Sequence, residues 1–126
     1  MNNEKDNVYD LVEDFYAHDE GWNTLLRQEY AEGFLRMEAW KGKKNSDLYR
    51  SWDNLTMLCL YLGSAETFLG DMNADDFIDC IAWCGRNISE FTPDYKNTQD
   101  FLETCDGLFK YLKGKNAISN DTVPAT

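Results

Sequence analysis

Apolar residues recur along this chain at spacings of three and four in five separate blocks, and no block alternates with a period of two. The first stripe, Val8, Leu11, Val12 and Phe15, runs on to Ala17 and His18 and predicts a short helix; the polar residues 1–7 before it predict a flexible N-terminus. Asp19-Glu20-Gly21-Trp22 breaks the pattern. A second stripe follows, Leu26, Tyr30, Gly33, Met37 and Trp40, and stops at Lys41-Gly42, a cation for the helix C-terminus followed by a residue free to turn. Asn45-Ser46-Asp47 supplies a cap and a first-turn acid for a third helix with the stripe Leu48, Trp52, Leu55, Cys59 and Leu62, closing at Gly63. Asn73-Ala74-Asp75-Asp76 caps a fourth, with Phe77, Ile81, Cys84 and Ile88 on one face. Thr92-Pro93-Asp94 opens a fifth by placing proline where the first turn needs no amide donor, and Phe101, Cys105, Leu108 and Leu112 form its stripe before Lys113-Gly114. Residues 119–126 have no periodicity and read as a flexible tail or linker.

The expected fold is therefore all-α, a single helical domain over residues 8–118. The connections differ in length, and the longest, 63–73, carries its own Phe68-Leu69 anchor, which predicts an irregular orthogonal bundle of about five helices. An apolar content of 43%, with 14% aromatic, fills one core without disulfide or metal staples. The four cysteines lie inside periodic stretches, and no cationic segment followed by an apolar one opens the chain, so a reducing, cytoplasmic setting is expected. No apolar run has the length of a membrane span.

Each candidate for chemistry has a plainer reading. Cys80 and Cys84 are one helical turn apart, with Cys59 and Cys105 as conceivable further ligands, but Cys59, Cys84 and Cys105 sit on apolar stripes, where cysteine behaves as a small hydrophobe. His18 is the sole histidine; Asp14 lies four residues before it, and a helix-end role answers for both. Asp75, Asp76 and Asp79 belong to the first turns of a helix, where the macrodipole favours acids. There is no Gly-rich phosphate loop, no EF-hand spacing and no pair of Glu-x-x-His segments. The expectation is a protein that is not an enzyme and carries no cofactor and no metal.

Charge changes the picture more than any motif. Twelve Lys and Arg face 23 Asp and Glu, a formal net charge of −11. The one stretch with a cationic surplus is 41–50, where Lys41, Lys43, Lys44 and Arg50 face Asp47; a smaller cluster is Lys110, Lys113 and Lys115. Those seven are the candidate contacts for phosphates or an acidic partner, and Asp75, Asp76 and Asp79 are candidates for a basic one.

From Leu48 onward three segments carry a resemblance: Trp52-Asp53-Asn54-Leu55-Thr56 with Leu60-Tyr61-Leu62, then Asp71 to Ile78, then Thr98 to Phe109-Lys110-Tyr111-Leu112 and on to Ile118. In order and spacing they resemble the SAM-like core-binding domain at the N-terminus of tyrosine recombinases and phage integrases, which implies a helical fold and contact with duplex DNA. The chain departs from that family in its acidity, in lacking Asn-Pro after the last helix, in the additional region 8–41, and in holding no catalytic domain within its 126 residues. The preferred expectation is thus a non-enzymatic, acidic helical interaction module binding another macromolecule, with protein as the partner. The alternatives are a DNA-contacting accessory domain of the recombinase type, touching phosphates through the seven cations, and an acidic competitor of DNA that binds a nucleic-acid-binding protein.

Overall fold

A computed structural model of the chain describes residues 7–18, 26–89 and 91–115. Within them the protein is all-helical: α1 (Val8–Ala17), α2 (Gln28–Trp40), α3 (Asn45–Ala65), a 3-10 turn (Leu69–Asp71), α4 (Ala74–Asn87) and α5 (Tyr95–Gly114). No strand occurs among the described residues. The expected tail 119–126, the Asp19–Trp22 break and nearly all of the expected flexible N-terminus lie outside them. Asn7, placed by the sequence reading in that N-terminal segment, is the N-cap of α1, its side chain accepting the Asp10 amide at 3.0 Å.

α3 is the hub, packing against each of the other four α-helices. Its sequence explains why. Leu48, Trp52, Leu55, Cys59 and Leu62 are all buried as expected, and Ser51, Asn54, Met57, Leu58 and Tyr61 are buried beside them, so the helix has no broad solvent face along its middle turns. Aromatic edges fix the neighbours: Phe15 stands edge-on to Trp52, Tyr61 to Trp83, and Phe77 to Phe109. Removing a fully buried side chain such as Leu58 or Phe77 leaves a void whose cost is about 2–5 kcal/mol.

Several boundaries and faces differ from the sequence reading. In α1 the buried face is Val8, Val12 and Tyr16, while Leu11 is exposed. The face is rotated because Tyr16 is held inside, donating its hydroxyl to the Leu26 carbonyl at 2.6 Å at the approach to α2. In α2 the innermost residues are Ala31, Phe34 and Leu35; Trp40, expected on the stripe, is 87% exposed. Gly63 does not end α3, which continues to Ala65 and closes at Glu66 with left-handed backbone, φ 54°, the Thr67 amide reaching back to the Leu62 carbonyl at 3.1 Å. Of the Phe68-Leu69 anchor only Leu69 is buried. The fifth helix begins later than expected: Asp94 is its N-cap, and Pro93 precedes the helix and packs on Gly85 of α4. Asn73 caps α4 as predicted, in a capping box with Asp76.

Candidate functional site

On the α3 face that looks toward the start of α5, Arg50, Asp53, Asn54 and Met57 follow one another at helical spacing, with Leu60 one turn further on. Together with Ile88 and Phe91 from the α4–α5 connection and Asn97 and Asp100 from α5, they line a groove of about 560 Å³. Its floor is apolar, made by Met57, Leu60, Ile88 and Phe91; its polar side chains are two carboxylates, two amides, one guanidinium and the Thr56 hydroxyl, which donates to the Trp52 carbonyl at 2.9 Å. The size lies within the usual range of ligand pockets.

Local hydrogen bonds hold the walls. Asp94 caps α5 by accepting the Asn97 amide at 2.8 Å, and the Asn97 side chain in turn donates to the Thr92 carbonyl at 2.8 Å, so the entry to α5 is pinned to its own loop. Phe91 is buried and its amide closes a tight turn onto the Ile88 carbonyl at 3.0 Å. Across the groove, the Asn54 amide nitrogen donates to Asp100 Oδ2 at 3.0 Å and to Thr104 Oγ1 at 2.9 Å, which ties α3 to α5. Asn54 is 5% exposed, and its side-chain oxygen, Oδ1, accepts from no described residue. Asp53, exposed at the groove rim, pairs with no described cation either, although Arg50 stands one turn away, and the partial loss of solvent around its carboxyl raises its pKa from the ordinary value.

The seven cations singled out by sequence are not brought together. Lys41, Lys43 and Lys44 occupy the turn between α2 and α3, where Gly42 takes φ 106°. Lys43 reaches Glu38 at 3.6 Å, and Glu38 also accepts the Ser51 hydroxyl at 3.1 Å; Lys41 and Lys44 are exposed and make no ion pair among the described residues. Arg50 belongs to the groove. At the far end of α5, Lys110 pairs with Asp106 at 2.9 Å, Lys113 is in the last turn, and Lys115 lies 5.6 Å from the centre of the Tyr111 ring. α2 and α5 run antiparallel, with Gly33 under Tyr111 and Phe34 and Glu38 beside Gly107. The turn after α2 therefore sits at the opposite end of this helix pair from Lys110, Lys113 and Lys115.

Among the acids, Asp75 and Asp79 are exposed on α4, with the exposed Ile78 between them in sequence, whereas Asp76 uses its carboxylate to accept the Asn73 amide at 2.9 Å. His18 is an exposed helix-end residue, its Nδ1 2.9 Å from the Asp14 carbonyl oxygen. All four cysteines are buried and free of disulfides. Cys80, off the expected stripe, is buried too; its hydrogen bond with Cys84, and then burial, raise its pKa, while burial raises that of Cys105. Among the described residues no group of three His, Cys, Asp or Glu could hold a metal ion, and no helix is long and apolar enough to cross a membrane.

Sequence reading passed over Asp53, Asn54 and Asp100. A signal was present: Ser51 and Asn54 are polar residues among the apolar positions of the third stripe, and a buried amide there requires a partner on another element. Which element supplies it is a tertiary fact.

Comparison with protein-family models, with curated proteins and with solved structures found no match to this chain.

Proposed function

We propose that this chain is a non-enzymatic helical module that binds a protein partner, and that the groove between α3 and α5 takes a cationic, amphipathic segment of it. The single observation carrying the reading is an apolar floor bounded by Asp53 and Asp100, with the Asn54 side-chain oxygen, Oδ1, as a further acceptor. An apolar side chain would lie on Met57, Leu60 and Phe91 while a lysine or arginine met Asp53, favouring the charged carboxylate that partial desolvation at the rim disfavours. The groove offers acceptors and carboxylates but no nucleophile paired with a base, which favours recognition over turnover.

The recombinase-like reading, a domain contacting DNA through its cations, is the weaker proposal. Duplex binding draws on several phosphate contacts along one face, and here the two lysine clusters lie at opposite ends of the α2–α5 pair on a chain of charge −11. A partner that itself binds nucleic acid would carry the cationic segments the groove suits, so the DNA-competitor reading is a special case of the first proposal.

The test is titration of short helical peptides combining Leu or Ile with Lys or Arg, followed by amide NMR. Shifts confined to residues 50–60, 88–91 and 97–100, abolished by Asp53→Arg and by scrambling the peptide, are the expected result. Shifts scattered over all acidic faces, or saturable duplex binding at physiological salt that Lys41→Glu and Lys44→Glu remove, would replace this proposal.

A further inference from the structure

Two surfaces of this protein complement one another, and within one molecule they do not meet, Trp40 and the lysines beside it taking no part in the groove. The first is the α2–α3 turn, where Trp40 is 87% exposed and is followed by Lys41, Lys43 and Lys44. An indole at the end of an amphipathic helix, left outside its own core, is a large apolar side chain with one N–H donor and no described acceptor. The second is the groove, with an apolar floor, the unpaired Asp53 carboxylate and the Asn54 side-chain oxygen, Oδ1.

We infer that the groove receives the α2–α3 turn of a second copy of this chain, with Trp40 on the apolar floor and Lys41 and Lys44 beside Asp53 and Asp100. This rests on the reading of the groove as a site for a cationic, amphipathic segment, and it names that segment. Charge selects the occupant. Two bodies of charge −11 repel in most orientations, and two stretches outside the groove reverse the sign, Lys41, Lys43 and Lys44 in the α2–α3 turn and Lys110, Lys113 and Lys115 at the end of α5; only the first adjoins an exposed tryptophan. Its Trp40 supplies the apolar side chain the floor requires, and the incoming Asp47, in the first turn of α3, is the nearest acid to meet Arg50 at the rim.

The geometry also limits the kinds of assembly. Turn and groove are different surfaces of one molecule, so two copies join either reciprocally across a two-fold axis, each turn in the other's groove, or head to tail, each bound copy leaving a turn free at one end and a groove at the other. The first closes at a dimer, and the second continues beyond it unless the rotation closes a ring.

Sedimentation velocity of the full chain in reducing buffer, over a range of concentrations and at low and physiological salt, tests this. The expected result is a mass that rises with concentration to that of a dimer or beyond and falls with added salt. A turn variant, Trp40→Ala with Lys44→Glu, and a groove variant, Asp53→Arg, should each be monomeric. All three positions are exposed, and circular dichroism melts confirm that the variants fold. Mixed, they should form a one-to-one heterodimer and nothing larger, because the turn variant retains a groove and the groove variant retains a turn. Three outcomes overturn the inference: wild type monomeric at every concentration, a turn variant that assembles like wild type, or a mixture that does not pair. A monomeric wild type whose groove still binds cationic peptides leaves the functional proposal standing and removes only the second copy. Failure of both experiments removes both.

Discussion

The Asn54 amide nitrogen lies 3.0 Å from the Asp100 carboxylate and is 5% exposed, so one side chain on α3 anchors the first turns of α5 and forms part of the groove wall. Because the same nitrogen also donates to Thr104, whose hydroxyl donates to the Asp100 carbonyl at 3.1 Å, the three residues form a small network in the interior. Asn54→Ala should lower stability by about 1–3 kcal/mol, the cost of leaving buried groups unsatisfied. Urea unfolding measures it. Asn54→Asp should be worse at neutral pH than in acid, since it sets a second carboxylate beside Asp100.

The pKa of Asp53, exposed at the groove rim, is raised from the ordinary carboxylate value because partial desolvation there disfavours its charged form. The folded pKa exceeds the unfolded one, so the folded state binds the proton more tightly. The contribution of Asp53 to stability accordingly improves as pH falls through the folded value and is least favourable once pH has risen above it. Carboxyl NMR should show the raised titration in the free protein and a downward shift when a cationic peptide is bound. A titration at the ordinary value in both states would contradict the groove electrostatics.

Gly33 allows the close approach of α2 and α5. A β-carbon at this position would strike the Tyr111 hydroxyl and force that side chain to move, so Gly33→Ala should destabilise by about 1–3 kcal/mol despite the better helix propensity of alanine. Gly33→Ala combined with Tyr111→Leu should recover part of the loss in thermal melts.

Glu66 ends α3 in the left-handed region at φ 54°, which a side chain with a β-carbon adopts at a cost of about 1 kcal/mol or more. Glu66→Gly is expected to raise the melting temperature, an effect with the opposite sign to most substitutions. No change, or a loss, would mean that the Glu66 side chain offsets the strain.

The thiols should be protected by the fold. With Cys105 and Cys80 buried and their pKa values raised, labelling by a thiol reagent should proceed at the rate of unfolding and not at the rate of an exposed thiolate. Rapid native-state labelling of either would overturn this assignment.

The sequence by itself determined that the chain is helical, where most of the helices lie, and which residues line the innermost faces of α3 and α5. Those follow from local rules: Asn73 caps because its side chain reaches an amide three residues on, and Leu48 through Leu62 must face inward because their spacing matches the helix turn. Only tertiary structure decided which neighbour each remaining face meets. Leu11 is exposed and Tyr16 buried because the Leu26 carbonyl lies within reach of the Tyr16 hydroxyl. Trp40 is left in solvent because α2 turns Ala31, Phe34 and Leu35 inward. Pro93 precedes α5 instead of opening it, its ring packed against Gly85 and Asp94 acting as the cap. The groove belongs to the same class of fact, for Asp53 and Asn54 are separated from Asp100 by more than forty residues and meet it only because α3 and α5 pack side by side. Periodicity reports that a residue faces inward; the identity of the group it meets there is set by how the helices pack.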